Sequence, residues 1–448
     1  MEFAMLRLRY LKGTILTGEV NVPHSVWDGS MRSYRAMGMH YAEATDYLRN
    51  SGIQFSDEVL DLLPHSRLNS DVEPRPYQLE ALDAWIAAGM RGTVVLPTGS
   101  GKTIVGILAI IEVGAPSIVV VPTIDLMEQW RSRLSSSFSQ EVGAYGGGES
   151  QLLPLTVATY DTAYLRAEEL GNRFKLIIFD EVHHLPSPGF SQIAEVFASP
   201  YRLGLTATYE REDGLHEDLA RLIGPKVYEQ KVAEMAGDHL APFRIEKIYV
   251  DLLPGEDEEY RRNLLIYKSF LAKSGMVIRS PQDLKRLIMR SARDREAREA
   301  LLAKNRAMAI ALNSASKKEA LKQILRERAG EKTLIFTQHN DLVYRLSKEL
   351  LIPAITHETP KDERAEILSA FRSGQYRTIV TSKVLDEGID VPDASLGIIL
   401  SGTGSRREFV QRLGRLLRKV DGKEATLIEV VSRSTAETGV SSRRRRAI

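Results

Sequence analysis

The 448-residue sequence contains no cysteine, which excludes disulfides and thiolate metal centres and suits a reducing cytosol. No stretch reaches the apolar length of a membrane span, and Met1 to Tyr10 lacks the apolar core of a signal peptide. A membrane partner is therefore not expected. Charge of one sign is missing too: 60 Lys and Arg against 59 Asp and Glu leave a formal net charge of +1. That excludes a uniformly basic surface, so any contact with nucleic acid must be local. What is present is a chain 43% apolar, enough for packed cores and long enough for three or four domains.

The most informative segment is Leu96-Pro97-Thr98-Gly99-Ser100-Gly101-Lys102-Thr103. It follows Thr93-Val94-Val95, expected as a buried strand, and precedes a core-facing helix expected over Ile104 to Val113. A strand, a glycine-rich turn and Gly-Lys-Thr at a helix start hold the phosphates of a nucleotide such as ATP. Gly99 and Gly101 let backbone N–H groups approach the anion, the helix N-terminus adds partial positive charge, and Lys102 reaches the β/γ oxygens. Thr103 can place its hydroxyl on Mg²⁺. The strict pattern wants glycine where Leu96 stands and so fails at its first position; the flanking strand and helix sustain the assignment.

A second site supplies carboxylates. Lys175 to Phe179 is a short apolar run ending in Asp180-Glu181-Val182-His183-His184, at the strand end where open α/β sheets bind ligands. Asp180 suits the Mg²⁺ shell beside Thr103, and Glu181 suits polarising the water that attacks the γ-phosphate. Two neighbouring histidines on a turn do not make a ligand set, so no metal beyond Mg²⁺ is expected.

Basic residues concentrate in three places. Gln411, Arg415 and Arg418 share one face of an expected helix, which makes the two arginines candidate fingers supplied from a second domain. Between Arg261 and Arg306 stand thirteen Lys and Arg against four Asp and Glu, including Lys285, Arg286, Arg290 and Arg293. Such a patch suits gripping DNA of any sequence; a solvated helical face has the same pattern. The run Arg443 to Arg446 reads as a frayed tail.

Asp180-Glu181-Val182-His183 after a P-loop resembles the superfamily 2 helicases and translocases, and their other motifs follow in order. Arg75-Pro76-Tyr77-Gln78 stands where the family has its adenine-side motif, implying nucleotide contact by Arg75 and Gln78. Val121-Pro122-Thr123, with Gln129 and Trp130 downstream, and then Thr159-Tyr160 resemble the motifs that touch a DNA strand. Thr206-Ala207-Thr208 matches the motif that couples hydrolysis to domain movement. Leu334-Ile335-Phe336-Thr337 opens a second set. Thr381-Ser382-Lys383 and Asp386-Glu387-Gly388-Ile389-Asp390 form the fifth motif, implying nucleotide contact by Gly388 and Asp390. Gln411 to Arg418 is the sixth. Arg211-Glu212-Asp213 resembles the Arg-Glu-Asp triplet of the XPB branch, which lies where duplex DNA is split.

The resemblance spans most of the chain, whose compactness is similar to archaeal XPB. It implies an ATP-dependent DNA helicase or translocase of 3′-to-5′ polarity in repair or transcription. DNA is the implied partner, together with a nuclease as in archaeal relatives, in an archaeal or prokaryotic cytoplasm near the nucleoid. Two rivals share these motifs: a double-strand translocase that does not separate strands, and a DNA-binding scaffold with vestigial hydrolysis. An RNA helicase of the DEAD class is disfavoured by Val182-His183 and Thr206.

The expected fold class is α/β: two RecA-like parallel-sheet lobes, a small mixed N-terminal domain and a helical thumb insertion. Residues 1–71 form a domain similar to damage-recognition domains, 72–240 the first lobe, 241–312 the linker and thumb, and 313–448 the second lobe. Strands are expected at Leu6–Tyr10, Ser117–Val121, Leu155–Val157, Leu176–Phe179, Leu203–Leu205, Thr333–Phe336, Ala354–Thr356, Thr378–Val380 and Leu396–Leu400. Tyr34 to Leu48 is expected as a helix, and residues 255–305 as helices with few buried positions. Two lobes sharing one nucleotide would explain why the candidate fingers lie so far along the chain from Lys102.

Overall fold

The computed structural model describes residues 5–65, 68–211, 213–235, 242–382, 394–402 and 424–445. They divide into two units, residues 1–231 and 232–448. In the first unit an eight-stranded sheet runs Lys226–Glu229, Arg91–Val95, Tyr201–Thr206, Leu176–Asp180, Ser117–Val121, Leu155–Thr159, Gly143–Gly146, Glu149–Ser150. Every pairing in it is parallel except the last. The strands Ser117–Val121, Leu155–Thr159 and Leu176–Asp180 are buried at every residue. Coverage on both faces is why they read as continuous apolar runs rather than alternating ones. Register places the chemistry: Asp180 lies opposite Leu205, and Thr206 opposite Val95. The loop after Val95, the Asp180 turn and the Thr206 turn thus emerge side by side from one end of the sheet.

The N-terminal residues of this unit form a five-stranded sheet, in the order Val26–Asp28, Ser33–Met37, Thr14–Leu16, Leu6–Leu11, Phe55–Glu58. Leu8, Ile15, Val22, Ala44, Leu48 and Val59 fill its core. The single helix expected over Tyr34 to Leu48 is instead three elements: the strand Ser33–Met37, a 3₁₀ turn Gly38–His40 and the helix Tyr41–Asn50. Antiparallel pairing with Thr14–Leu16 captures the first part, overriding local propensity. At Gly38 a side chain would collide with the Val196 carbonyl of the neighbouring lobe, which fixes the turn there. The domain is tied to that lobe by Tyr10 Oη donating to Val196 O (3.3 Å), Asn172 Nδ2 donating to Val59 O (3.0 Å) and an Arg173–Asp61 ion pair.

The second unit holds six parallel strands ordered Phe243–Val250, Ala425–Ser432, Leu396–Ile399, Thr333–Phe336, Thr378–Thr381, Ala354–Ile355. The first of these corrects the expected boundary at 241–312. Phe243–Val250 pairs residue for residue with Ala425–Ser432, so it belongs to the sheet, and the helical insertion starts after it. That insertion comprises Pro254–Ser274, Pro281–Ser291 and Arg295–Leu312. Ser280 Oγ accepts from Asp283 N (3.2 Å) and Asp294 Oδ1 from Glu296 N (2.9 Å), so two of the three helices begin on side-chain caps. The insertion also has more interior than its composition suggested. Ala297, Ala300, Ala303, Ala307 and Ala311 are buried, spaced three and four apart along one face. Phe270 packs with Ala297 and Ala300, and Tyr260 with Ala307 and Ala311.

Candidate nucleotide site

Gly99 and Gly101 have φ of 85° and 82°, the left-handed backbone that glycine adopts without steric cost. Lys102 then opens the helix Lys102–Val113. The backbone at Leu96 is not left-handed, its side chain is buried, and its N–H donates to Thr206 O (3.0 Å). Leu96 thus prolongs the strand, and nothing at this position requires glycine. Lys102 Nζ donates to Leu96 O (3.3 Å), and Ser100 Oγ to Pro97 O (2.7 Å). Thr98 Oγ1 is buried without a hydrogen-bond partner among the described residues. An orphaned hydroxyl beside an anion cradle fits a phosphate group, which can accept its proton.

Gln78 holds this loop from beneath. Its Oε1 accepts from Arg75 N (2.9 Å), and its Nε2 donates to Ser100 O (3.0 Å) and Gly101 O (3.3 Å). Tyr77 Oη also donates to Ser100 O. Gln78 was expected at the base edge; it is buried, with both ends of its amide engaged in positioning the loop. Arg75 is exposed at the helix start.

Asp180 closes the other side. Its Oδ2 accepts from Trp130 Nε1 (2.7 Å) and its Oδ1 from Glu181 N (2.9 Å), while its carbonyl accepts from Tyr160 Oη (3.2 Å). Burial raises the pKa of this carboxyl; the charge of Lys102 and the two hydrogen bonds oppose that rise. The Asp180 carboxylate, close enough to Lys102 to feel its charge, and the Thr103 hydroxyl at the start of the same helix are the hard oxygen donors that Mg²⁺ prefers. Glu181 has φ of 48°, a left-handed conformation that is strained for a residue with a side chain and is typical of functional turns.

One histidine joins this acid pair to the rest of the lobe. His183 Nδ1 lies 3.0 Å from Thr206 Oγ1 and 3.4 Å from Glu181 Oε2. Thr206 Oγ1 donates to Thr208 O (2.8 Å) and accepts from Thr208 N (3.2 Å). The Arg211 guanidinium donates to the His183 carbonyl and grips both oxygens of Asp213 at 2.9 and 2.7 Å. Hydrogen bonding to Arg211 is the main cause holding the Asp213 carboxyl down to about 2. His183 is thus hydrogen-bonded to Thr206 and Arg211 and lies in close contact with Glu181. Sequence reasoning weighed His183 only as a metal ligand and missed this role; its place two residues after Glu181 was the available signal.

Several residues expected to touch DNA are placed otherwise. Trp130 and Tyr160 are almost fully buried and face Asp180, so they support the acid rather than a strand. Thr123 and Thr159 cap helices, accepting from Leu126 N (3.2 Å) and Thr162 N (3.3 Å); Thr159 is buried as well. Thr206, Thr337 and Thr381 are completely buried and can act on a strand only through their neighbours. Thr337 N donates to Thr381 O (2.9 Å). On the insertion, Arg286 pairs with Asp283 (3.5 Å), and Arg290 pairs with Asp294 (2.8 Å) over the Phe270 ring. Lys285 and Arg293 are exposed and make no ion pair among the described residues. Glu212, Gly388, Asp390, Gln411, Arg415 and Arg418 lie outside the described residues.

Comparison with known proteins adds three matches to family profiles. Residues 8–59 match the xeroderma pigmentosum group B helicase damage recognition domain, 71–211 the type III restriction enzyme res subunit, and 316–420 the helicase conserved C-terminal domain. The chain is 48% identical to a DNA 3′-5′ translocase XPB2 of Sulfurisphaera tokodaii, across 98% of this chain and 100% of that protein. It is 36% identical to a DNA 3′-5′ helicase XPB of Kineococcus radiotolerans, across 83% of this chain and 62% of the relative. A Saccharomyces cerevisiae relative, a general transcription and DNA repair factor IIH helicase/translocase subunit, is 29% identical and is spanned over 47% of its length. Among solved structures, the Hef helicase domain of Pyrococcus furiosus superposes with a TM-score of 0.54 at 18% identity, covering 83% of this chain and 98% of that one; this likeness concerns the fold.

Proposed function

Because the chain belongs to the XPB family of DNA 3′-5′ helicases and translocases, we propose that it hydrolyses ATP at the Lys102–Asp180–Glu181 site and uses the energy to move 3′-to-5′ along DNA. The glycine loop and Lys102 bind the triphosphate, with the Thr98 hydroxyl available to it. Thr103 and Asp180 hold Mg²⁺, which supplies charge neutralisation on the phosphates when bound. Glu181 orients the attacking water and takes up its proton. Gly388, Asp390, Gln411, Arg415 and Arg418 complete the nucleotide site in this reading, the two arginines stabilising charge on the transferred phosphoryl group.

The observation that carries the reading is His183, whose ring nitrogen lies 3.4 Å from Glu181 Oε2 and 3.0 Å from Thr206 Oγ1 and whose carbonyl accepts from Arg211. A motor needs its acid pair to sense what happens at the DNA, and this residue joins the hydrolytic turn to the Arg-Glu-Asp triplet. DNA is the partner; the acidic and basic residues at Arg211, Glu212 and Asp213 act at the fork, and Lys285 and Arg293 on the phosphate backbone. A nuclease partner and a place in the cytoplasm beside the nucleoid complete the proposal. Among the described residues no helix is long and apolar enough to cross a membrane.

The test is DNA-stimulated ATPase and forked-duplex unwinding on three proteins. Lys102→Ala lowers hydrolysis by about a hundredfold or more, as losing a phosphate-stabilising donor does. His183→Ala leaves DNA-independent hydrolysis largely in place but removes most of its stimulation by DNA, together with unwinding. Stimulation equal to wild type in His183→Ala would overturn the coupling through His183. Full stimulation by a duplex, with no strand displacement by the wild type, would favour the translocase that does not separate strands.

A further inference from the structure

The N-terminal domain brings together His24, His40 and Glu43, whose donor atoms all lie within 4.8 Å of one another. We propose that these three side chains form a binding site for a divalent transition metal of the zinc class, which clamps the loop around His24 to the start of the helix Tyr41–Asn50. No metal beyond Mg²⁺ was expected from the sequence, where these residues stand apart and only the adjacent His183 and His184 drew notice.

Both imidazoles meet one carboxylate oxygen. His40 Nδ1 is 3.0 Å and His24 Nε2 3.3 Å from the same oxygen, Glu43 Oε2. With bonds of about 2.0–2.2 Å to nitrogen and oxygen, donors on neighbouring corners of a tetrahedron stand about 3.3 Å apart. The two nitrogen–oxygen separations are close to that edge; because the rings stack, one imidazole must turn out of the stack for both in-plane nitrogen lone pairs to reach one ion. Two imidazoles and one carboxylate leave a fourth corner for water, a donor set that suits zinc and its neighbours better than Mg²⁺ or Ca²⁺. Mg²⁺ held by Thr103 and Asp180 would therefore not compete for it.

Features of the loop around His24 favour a built site over a chance meeting of surface groups. His24 has φ of 62°, a left-handed conformation that costs a non-glycine residue and tends to persist where the side chain is needed. Its ring stacks on His40 at 4.1 Å between centroids and 16° between planes, which keeps the two imidazoles adjacent. The loop that carries His24 is itself fixed, since Ser25 Oγ donates to Val22 O (2.7 Å) and accepts from Val22 N (3.1 Å). The site also borders the lobe: Met39, next to His40, contacts Arg221 at 3.9 Å. A metal here would stiffen the domain where it meets the ATP-binding lobe.

The experiment uses the full chain without an affinity tag, freed of metal by chelation and kept in millimolar Mg²⁺. Zn²⁺ is titrated calorimetrically into wild type, His24→Gln and Glu43→Gln, and thermal melts are recorded with and without Zn²⁺. Wild type is expected to bind one equivalent and to melt higher in its presence, as a ligand specific to the folded state requires. His24 is exposed on a loop, so its replacement leaves the fold intact. Each substitution should weaken binding by at least about tenfold, the lower end of what losing even an outer-shell partner costs, and should abolish the zinc-dependent rise in melting temperature. Absence of a binding heat in wild type, or equal affinity in wild type and both variants, would overturn the proposal.

Discussion

The parallel-sheet lobe around Asp180 and the helical insertion of residues 254–312 use charge in opposite ways. In the lobe, Arg202 and Asp180 are sunk in the interior and each is held by named partners. Arg202 is fully buried and donates to the carbonyls of Ala194 (2.8 Å), Phe197 (2.6 Å), Ser199 (3.2 Å) and Leu222 (2.7 Å). Burial is the first cause that drives its pKa well below the ordinary arginine value, with Arg91 adding to it. In the insertion the interior is a seam of alanines, and the charges sit at the rim in solvent. The charges of the lobe thus hold fixed shapes, whereas those of the insertion stay available to something outside.

The largest effect should come from breaking the lobe's side of this contrast. Arg202→Met removes one guanidinium and strands four buried carbonyls at once. Each unsatisfied buried group costs about 1–3 kcal/mol, and several carbonyls are left so together. A fall in unfolding free energy above about 3 kcal/mol is therefore expected, read from the denaturant midpoint of the first transition. A loss below about 1 kcal/mol, the scale of an ordinary surface change, would show that the carbonyls find other partners.

A smaller effect isolates one bond. Trp130→Phe keeps most of the buried ring but removes the N–H that donates to Asp180 Oδ2 at 2.7 Å. Hydrogen bonds to charged groups contribute about 1.5–3 kcal/mol. The bond favours the ionised acid, so its loss moves the Asp180 pKa further up from a value that burial already raises. In the apo protein a carboxyl raised in this way gives stability that is full below the unfolded pKa and lost as pH rises through the folded one. Activity runs the other way, because Mg²⁺ requires the ionised form. The acidic limb of the ATPase pH profile should therefore shift to higher pH in Trp130→Phe, with little change near its optimum. An unshifted limb would mean that Trp130 only packs.

How much of this was legible follows from where each signal lives. The strands Ser117–Val121, Leu155–Thr159 and Leu176–Asp180 could be read because burial on both faces makes long apolar runs. The glycine loop could be read because its backbone demands particular residues in a row. Trp130, Gln78 and His183 were assigned to ligands or to none, since their partners Asp180, Ser100 and Thr206 come from distant segments. Sheet register alone makes them neighbours. The alanine seam escaped because alanine marks a helix face weakly among so many Arg and Glu. Residues 34–37 were read as helical because their strand exists only through pairing with Thr14–Leu16 on one side and Val26–Asp28 on the other. His24, His40 and Glu43 show the same limit: the turn at Gly38 brings them together, and the reason for that turn is a carbonyl in another domain.

The smallest stability effect, and the sharpest test of the insertion's role, comes from its rim. Lys285 and Arg293 are exposed, so replacing both by Ala should change stability by less than about 0.5 kcal/mol. Arg286 is a useful control, because its pair with Asp283 leaves the arginine side chain 76% exposed and such pairs contribute about 1 kcal/mol at most. DNA affinity should respond where stability does not. Removing one cation from a duplex phosphate reduces the slope of log affinity against log salt by about 0.9, so the double variant should show a slope shallower by about 1.8 if both residues touch phosphates. An unchanged slope would make this helix a solvated face. The difference between lobe and insertion would then be one of burial alone, and the grip on DNA would have to be sought on the sheet lobes.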